Sequence, residues 1–338
     1  MTRSRILAVL FVCMLSLSIV APAVGASAAT PTTPATASSP ATDTAAASTD
    51  AVAPNEKIHR SLQDTEGTIE VVVRMEDAEL SQGVSRAQAV SQLQRQAART
   101  QERIVRFADQ RDGVTVENRF WITNAVLLSV DTDEVSLTEL AEMPTVEELH
   151  ANFDMQAPEP REAASAPESA SANGYDTTYG LDQVNATEVW DTYGTQGEGV
   201  KVAVLDTGVD PSHPDIDLYS EDPGNATYPG GWAEFNSSGA IIPGSEPYDA
   251  DGHGTHTSGT VAGGDASGEH IGVAPGATLI HGGVLTPEGG TFAAILGGME
   301  WAIQEDADVM SMSLGCIVGE TACYTESTIE PVQNAEAA

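Results

Sequence analysis

Two short stretches decide how the chain is read: KVAVLDTGVD at 201–210 and DGHGTHTSGTVAG at 251–263. In the first, Val202, Ala203, Val204 and Leu205 form a continuous apolar run of strand length. Such a run suits a parallel strand covered on both faces. Asp206 ends it, and Gly208 permits a sharp turn directly afterwards. A carboxylate at the carboxyl end of such a strand stands where open α/β sheets bind ligands. In the second stretch His253 lies between Gly252 and Gly254, at the head of the small residues Thr255, Ser258, Gly259 and Ala262. Small residues let a helix sit close to a sheet, and a helix N-terminus disfavours the charged form of a histidine. The expectation is a neutral imidazole able to act as a base.

Outward from these stretches, strands are expected at 278–284 and 308–313, with an apolar helix, FAAILGGMEWAI, between them at 292–303. Alternating strands and helices predict an α/β unit over 174–338 with a doubly wound parallel sheet. Residues 329–338 have the pattern of a helix cut in mid-run.

Upstream, TIEVVVRM at 68–75 predicts a strand, and 85–110 a polar-faced helix carrying Val90, Leu93, Ala97, Ile104, Val105 and Ala108, closed by Gly113. Strands follow at 114–123 and 125–130, then a short helix capped by Asp133 and ending at Met143-Pro144, then a strand at 146–149. The order βαββαβ predicts a ferredoxin-like α+β domain over 56–156. Two stretches lack the apolar residues to offset chain entropy: an Ala/Thr/Pro/Ser-rich spacer at 29–55 and a linker, APEPREAASAPESASAN, at 157–173.

The 338 residues carry 14 basic against 50 acidic side chains, a formal charge of −36. From residue 162 onward there are 28 acids and one lysine, Lys201. Such self-repulsion opposes the compact state in dilute buffer, whereas at molar salt the screening length falls to about 3 Å. The balance points to a halophilic setting and argues against nucleic acid as a partner.

Residues 1–28 read as a secretory signal, with Arg3 and Arg5 before an apolar run at 6–20 and a small-residue cleavage site at 24–28. That run is short for a membrane span and no later stretch is long enough, so a secreted monomer is expected. Cys13 would leave with the signal. Cys316 and Cys323 remain in an exported chain, where a disulfide between them would stabilise by roughly 2–3 kcal/mol; the rival is two free thiols. The sequons at Asn185, Asn225 and Asn236 permit glycosylation or are chance matches.

The chain resembles the subtilisin-like serine endopeptidases (subtilases), in particular secreted halolysin-type members from halophilic archaea. The resemblance rests on VAVLDTGVDPSHPD at 202–215, DGHGTHTSGTVAG at 251–263, GVAP at 272–275 and MSMSLG at 310–315. It implies that Asp206 orients an imidazole and that His253 is the general base of an Asp-His-Ser triad. It implies a substrate-lining strand at Ser313, Leu314 and Gly315, faced by a loop with Gly289 and Gly290, that binds extended peptide or protein substrates. Asp215 matches a structural calcium ligand, and no cofactor is required for the chemistry. The domain at 56–156 looks like the family's propeptide, a chaperone and inhibitor in cis whose tail at 152–156 lies along the cleft.

The third triad member is missing. Only 85 residues follow His253, and Ser258, Ser267, Ser311, Ser313 and Ser327 all lie outside the Gly-Thr-Ser motif that carries the family's nucleophile. The chain therefore reads as the front half of a protease, inert as it stands. The alternative is a truncated relic that at most binds peptides or proteases. Two other chemistries fit less. Asp206-Thr207-Gly208 is also the aspartic-protease triplet, but no second copy exists to share its proton. His253, His256 and Asp251 could ligate zinc, but no glutamate base sits between the histidines, and His256 is expected to be a packing residue.

Overall fold

The computed structural model describes residues 53–80, 83–158, 176–316 and 325–338. The expected signal peptide, most of the 29–55 spacer, most of the linker and Cys323 lie outside the described residues.

The N-terminal unit is built on β1 (Thr68–Met75), whose Val71, Val72 and Val73 are all fully buried. Three β-branched residues in a row suit a central strand with both faces covered. The chain continues through α1 (Arg86–Asp109), β2 (Val114–Phe120), β3 (Ala125–Asp131), α2 (Leu137–Ala141) and β4 (Val146–Ala151). The strands form one antiparallel sheet in the order β2-β3-β1-β4, the split βαβ arrangement expected from the element order. At the head of α1 the Ser85 N–H donates to Gln88 Oε1 at 2.9 Å, and α1 buries Ala89, Leu93, Ala97, Gln101, Ile104 and Ala108 at helical spacing.

Two details differ from the sequence reading. Strand β2 stops at Phe120, because residues 121–124 turn the chain and Asn124 takes φ +44°. Helix α2 is capped by Ser136, whose Oγ accepts from Thr138 N, and not by Asp133. Asp133 instead donates its own N–H to Asp131 Oδ1 at 3.0 Å, which closes a turn before the helix starts.

A two-residue strand, β5 (Asp154–Met155), leaves this unit. The second unit opens with α3 (Tyr179–Gln183) and α4 (Ala186–Tyr193), then β6 (Lys201–Asp206), β7 (Trp232–Glu234), α5 (His253–Ala262) and β8 (Thr278–Gly283). It ends with β9 (Gly290–Thr291), α6 (Phe292–Gln304), β10 (Val309–Ser311) and α7 (Thr325–Ala337), the last with Pro331 inside it. Strands β10-β6-β8-β7 form a sheet in that order, every pairing parallel. This is the α/β architecture read from the sequence, with Val204 and Leu205 of β6 fully buried on opposite faces.

The units share one core. Val72, Phe120, Ile122 and Leu127 belong to the same apolar cluster as Leu205, Phe292, Ile295 and Met299. Polar contacts line the seam. Glu300 Oε1 accepts from the N–H groups of Trp121 and Ile122 at 2.5 and 3.0 Å. Asn334 Nδ2 donates to Ile122 O at 2.7 Å, and Arg74 pairs with Glu330.

Candidate active site

The parallel sheet delivers Asp206 at the end of β6, fully buried. Its Oδ1 accepts from Thr207 N at 2.7 Å, and its Oδ2 accepts from Thr257 Oγ1 at 3.1 Å. His253 is the first residue of α5, after Gly252 in the left-handed region at φ +92°. The two side chains meet, with His253 Nδ1 donating to Asp206 Oδ1 at 2.7 Å. Two glycines make the approach possible. A Cβ on Gly254 would lie 2.1 Å from Gly208 O, and one on Gly208 would lie 2.0 Å from Tyr248 O. Only residues without a Cβ let the turn after β6 touch both the helix and the loop before it.

The hydrogen bond to Asp206 is the largest influence on His253 and raises its pKa above the usual histidine value. Burial acts the other way, and the charges of Asp206, Asp251 and Asp249 add to the rise. The sequence reading considered only the helix N-terminus, which favours a neutral ring, and the carboxylate in contact acts in the opposite direction. A carboxylate in direct contact favours the protonated ring, as a helix N-terminus does not. The ring is still a base, and a stronger one. His256, expected to pack, is exposed one turn further along α5.

The loop before α5 contributes a residue that the sequence reading did not single out. Asp249 Oδ1 accepts from Thr207 Oγ1 (3.0 Å), Asp251 N (3.1 Å) and Gly252 N (2.9 Å). Its Oδ2 accepts from Thr255 N (2.8 Å) and Thr255 Oγ1 (2.7 Å). Behind α5, Ser258 Oγ lies 3.0 Å from Nδ1 of His281, a fully buried ring whose pKa burial lowers to about 4.

The expected substrate-lining residues gather around the chain's own segment 154–156. Strand β5 pairs antiparallel with β9, Met155 opposite Gly290. Gln156 N donates to Gly315 O at 2.8 Å and Gly315 N to Gln156 O at 2.9 Å. A Cβ on Gly289 would come within 2.7 Å of Met155 O. Leu314 packs against the shared core, and Ser313 is half-buried beside it. This backbone pairing adjoins the acid, because Val284 N and Leu285 N donate to Asp206 O at 2.9 and 3.1 Å. A Cβ on Gly290 would in turn meet Val284 O at 2.2 Å.

Asp215 serves a different loop. Its Oδ1 accepts from Ser267 N at 3.1 Å, its carbonyl accepts from Gly264 N, and its Oδ2 is buried without a partner. Calcium takes six or more oxygens, backbone carbonyls among them, and Asp215 Oδ2 is an oxygen left open to serve as one of these. Among the described residues no three His, Cys, Asp or Glu converge as metal ligands. His253, His256 and Asp251 therefore make no zinc site. Cys316 is in a disulfide, and its expected partner Cys323 lies outside the described residues. No helix among the described residues is long and apolar enough to cross a membrane.

Residues 197–337 match the model of the subtilase family. The chain is 35% identical over 218 residues to Subtilisin E of Bacillus subtilis, a match covering 63% of this chain and 48% of the relative. It is 39% identical over 149 residues to Subtilisin of Bacillus pumilus, covering 44% of this chain and 48% of the relative. It is also 39% identical over 138 residues to the major intracellular serine protease of Bacillus subtilis, covering 40% of each chain. The chain thus spans about half the length of the curated relatives it matches.

Proposed function

We propose that the chain is part of a secreted, propeptide-bearing serine endopeptidase in which Asp206 and His253 are two members of an Asp-His-Ser triad. The observation that carries this reading is the 2.7 Å bond between His253 Nδ1 and Asp206 Oδ1 at the carboxyl end of the parallel sheet. With Nδ1–H committed to Asp206, Nε2 is the atom left to act. In the proposed reaction it takes the proton of a serine hydroxyl as that oxygen attacks a peptide carbonyl, then passes it to the departing amine. Asp206 stays ionised and stabilises the imidazolium. No metal or cofactor enters the reaction.

Gly289, Gly290 and Ser313–Gly315 are proposed to hold extended peptide substrates by backbone pairing. Residues 56–156 are proposed to act as an inhibitory propeptide in cis. The antiparallel pairing of 154–156 with Gly290 and Gly315 supports both assignments, since it shows that these residues can pair with an extended strand. Residues 1–28 are proposed as the secretory signal.

No serine of this chain is assigned as nucleophile. The purified 338-residue product is therefore expected to show no hydrolysis of casein at high salt. A product extended through a downstream Gly-Thr-Ser segment is expected to hydrolyse it and to lose that activity with His253→Ala. Hydrolysis by the 338-residue product that His253→Ala abolishes would overturn the missing nucleophile. An extended product that binds but never cleaves would favour a peptide-binding module instead.

A further inference from the structure

We propose that Asp249 is the positioning residue of the Asp206–His253 pair, clamping the turn after β6 to the first turn of α5 and so setting where the imidazole stands. The purpose of this clamp rests on the peptidase reading above, but its geometry does not.

The carboxylate takes five donors from three segments: Thr207 after β6, Asp251 and Gly252 in its own loop, and Thr255 in α5. Both threonine hydroxyls work in two directions. Thr207 Oγ1 gives its proton to Asp249 and accepts from Gly254 N at 2.9 Å. Thr255 Oγ1 gives its proton to Asp249 and accepts from Asp210 N at 2.9 Å. A hydroxyl has one proton to give. Asp249, an acceptor at both oxygens, therefore turns the lone pairs of both threonines towards backbone N–H groups on the opposite segment. The result is a crossed pair of straps. One ties Thr207 to the residue after His253, and the other ties Thr255 to the strand turn at Asp210. Between them lies the Gly208–Gly254 contact, which tolerates no Cβ.

An asparagine at 249 has the same shape but carries donors on one side. Its amide would face either Thr207 and two backbone N–H groups or both donors of Thr255. Either way an NH2 group would be set against backbone N–H donors, those of Asp251 and Gly252 on one side or that of Thr255 on the other, which would lose their acceptor. The isosteric change therefore breaks the clamp.

The test is the titration of His253 in the 338-residue chain, read from its imidazole NMR signal and assigned by its loss in His253→Gln. Asp249→Asn is expected to lower the pKa of His253 by about one unit, a tenfold loss of proton affinity. Part of that fall would come from the lost charge, so Thr207→Val is the sharper variant. It keeps the Asp249 carboxylate but removes the acceptor for Gly254 N. It is expected to lower the His253 pKa in the same direction, and Thr207→Ser to restore it. A merely structural role would lower the unfolding midpoint and leave the titration of the folded molecules in place. An unmoved His253 in Thr207→Val overturns the proposal, as does an unmoved His253 in Asp249→Asn. If Asp249→Asn fails to fold, Thr207→Val decides alone. The titration needs no hydrolysis, so it stands or falls apart from the peptidase reading.

Discussion

Two carboxylates in this molecule are each held by backbone N–H groups, yet they end on opposite sides of the ordinary value. Burial pushes Asp249 upward, but hydrogen bonds from Thr255, Gly252 and Thr207 outweigh it and take the pKa below the carboxylate range. At the seam between the units, burial pushes Glu300 up to about 8, and the N–H groups of Ile122 and Trp121 only partly offset it. The difference is in the number of donors and the depth. Five donors at a half-exposed site favour the anion, whereas two donors in a shared apolar core do not replace the lost water. The β6–α5 junction is thus built to hold charge, and the seam to hold a neutral acid.

The largest effect should come from forcing the junction open. Gly254→Val puts side-chain atoms where Gly208 O already sits. It is expected to cost more than about 3 kcal/mol or to prevent folding at all, read as a urea midpoint at high salt. A stable variant with an unchanged His253 titration would mean that the two segments are not in contact.

At the seam, Glu300→Ala leaves the N–H groups of Trp121 and Ile122 without their acceptor and should cost roughly 1–3 kcal/mol. Glu300→Gln keeps a neutral acceptor of the same shape and should cost less than about 1 kcal/mol at pH 6. Equal losses for the two at that pH would show that the buried acid is charged, against the contrast drawn here.

The same contrast predicts a pH dependence. The folded Glu300 holds its proton up to about 8, whereas an unfolded glutamate releases it near 4.5. The folded state therefore binds more protons between those values, so this group's contribution is full below 4.5 and is lost as pH rises to about 8. His281 runs the other way, since burial lowers its folded pKa to about 4. Its contribution is present above the unfolded value of 6.5 and is lost as pH falls towards 4. Above pH 6.5 the Glu300 slope should stand out from that of His281, by at most about 1.4 kcal/mol per unit. Denaturation curves at pH 6.5 and 8 should converge for Glu300→Gln relative to the parent. A parent-like slope in that variant would sink the assignment.

The smallest effect is expected at His256→Ala. The side chain is exposed, so the change should stay within about 0.5 kcal/mol and leave the His253 titration alone.

Much of the candidate site was legible because it is local. Asp206 follows a run of four apolar residues and His253 opens a run of small ones, so each motif sits within a few residues of its own structural cause. Asp249 was not legible. It stands two residues before the motif, in a chain with 50 acids, where one more carboxylate looks like solvated surface. Glu300 was hidden in the reverse way, as one polar residue in an apolar helix with no sign of what would cover it. The cap of α2 was misplaced because Asp133 and Ser136 are both good capping residues, and only the turn at Asp131 decides between them.

The sequence by itself determined the class of both units and most of their elements, and its motifs singled out Asp206 and His253. Periodicity and composition act over a dozen residues, enough to place elements and motifs but not to bring Asp206 to His253 across 47 residues. Tertiary structure alone decided which acids matter and what pairs with segment 154–156. The bonds from Trp121 to Glu300 and from Thr207 to Asp249 cross 179 and 42 residues, and segment 154–156 meets its partners only when both units are packed. A carboxylate's charge depends on how many donors reach it and how much water it loses, and both are set by which distant segments fold against it.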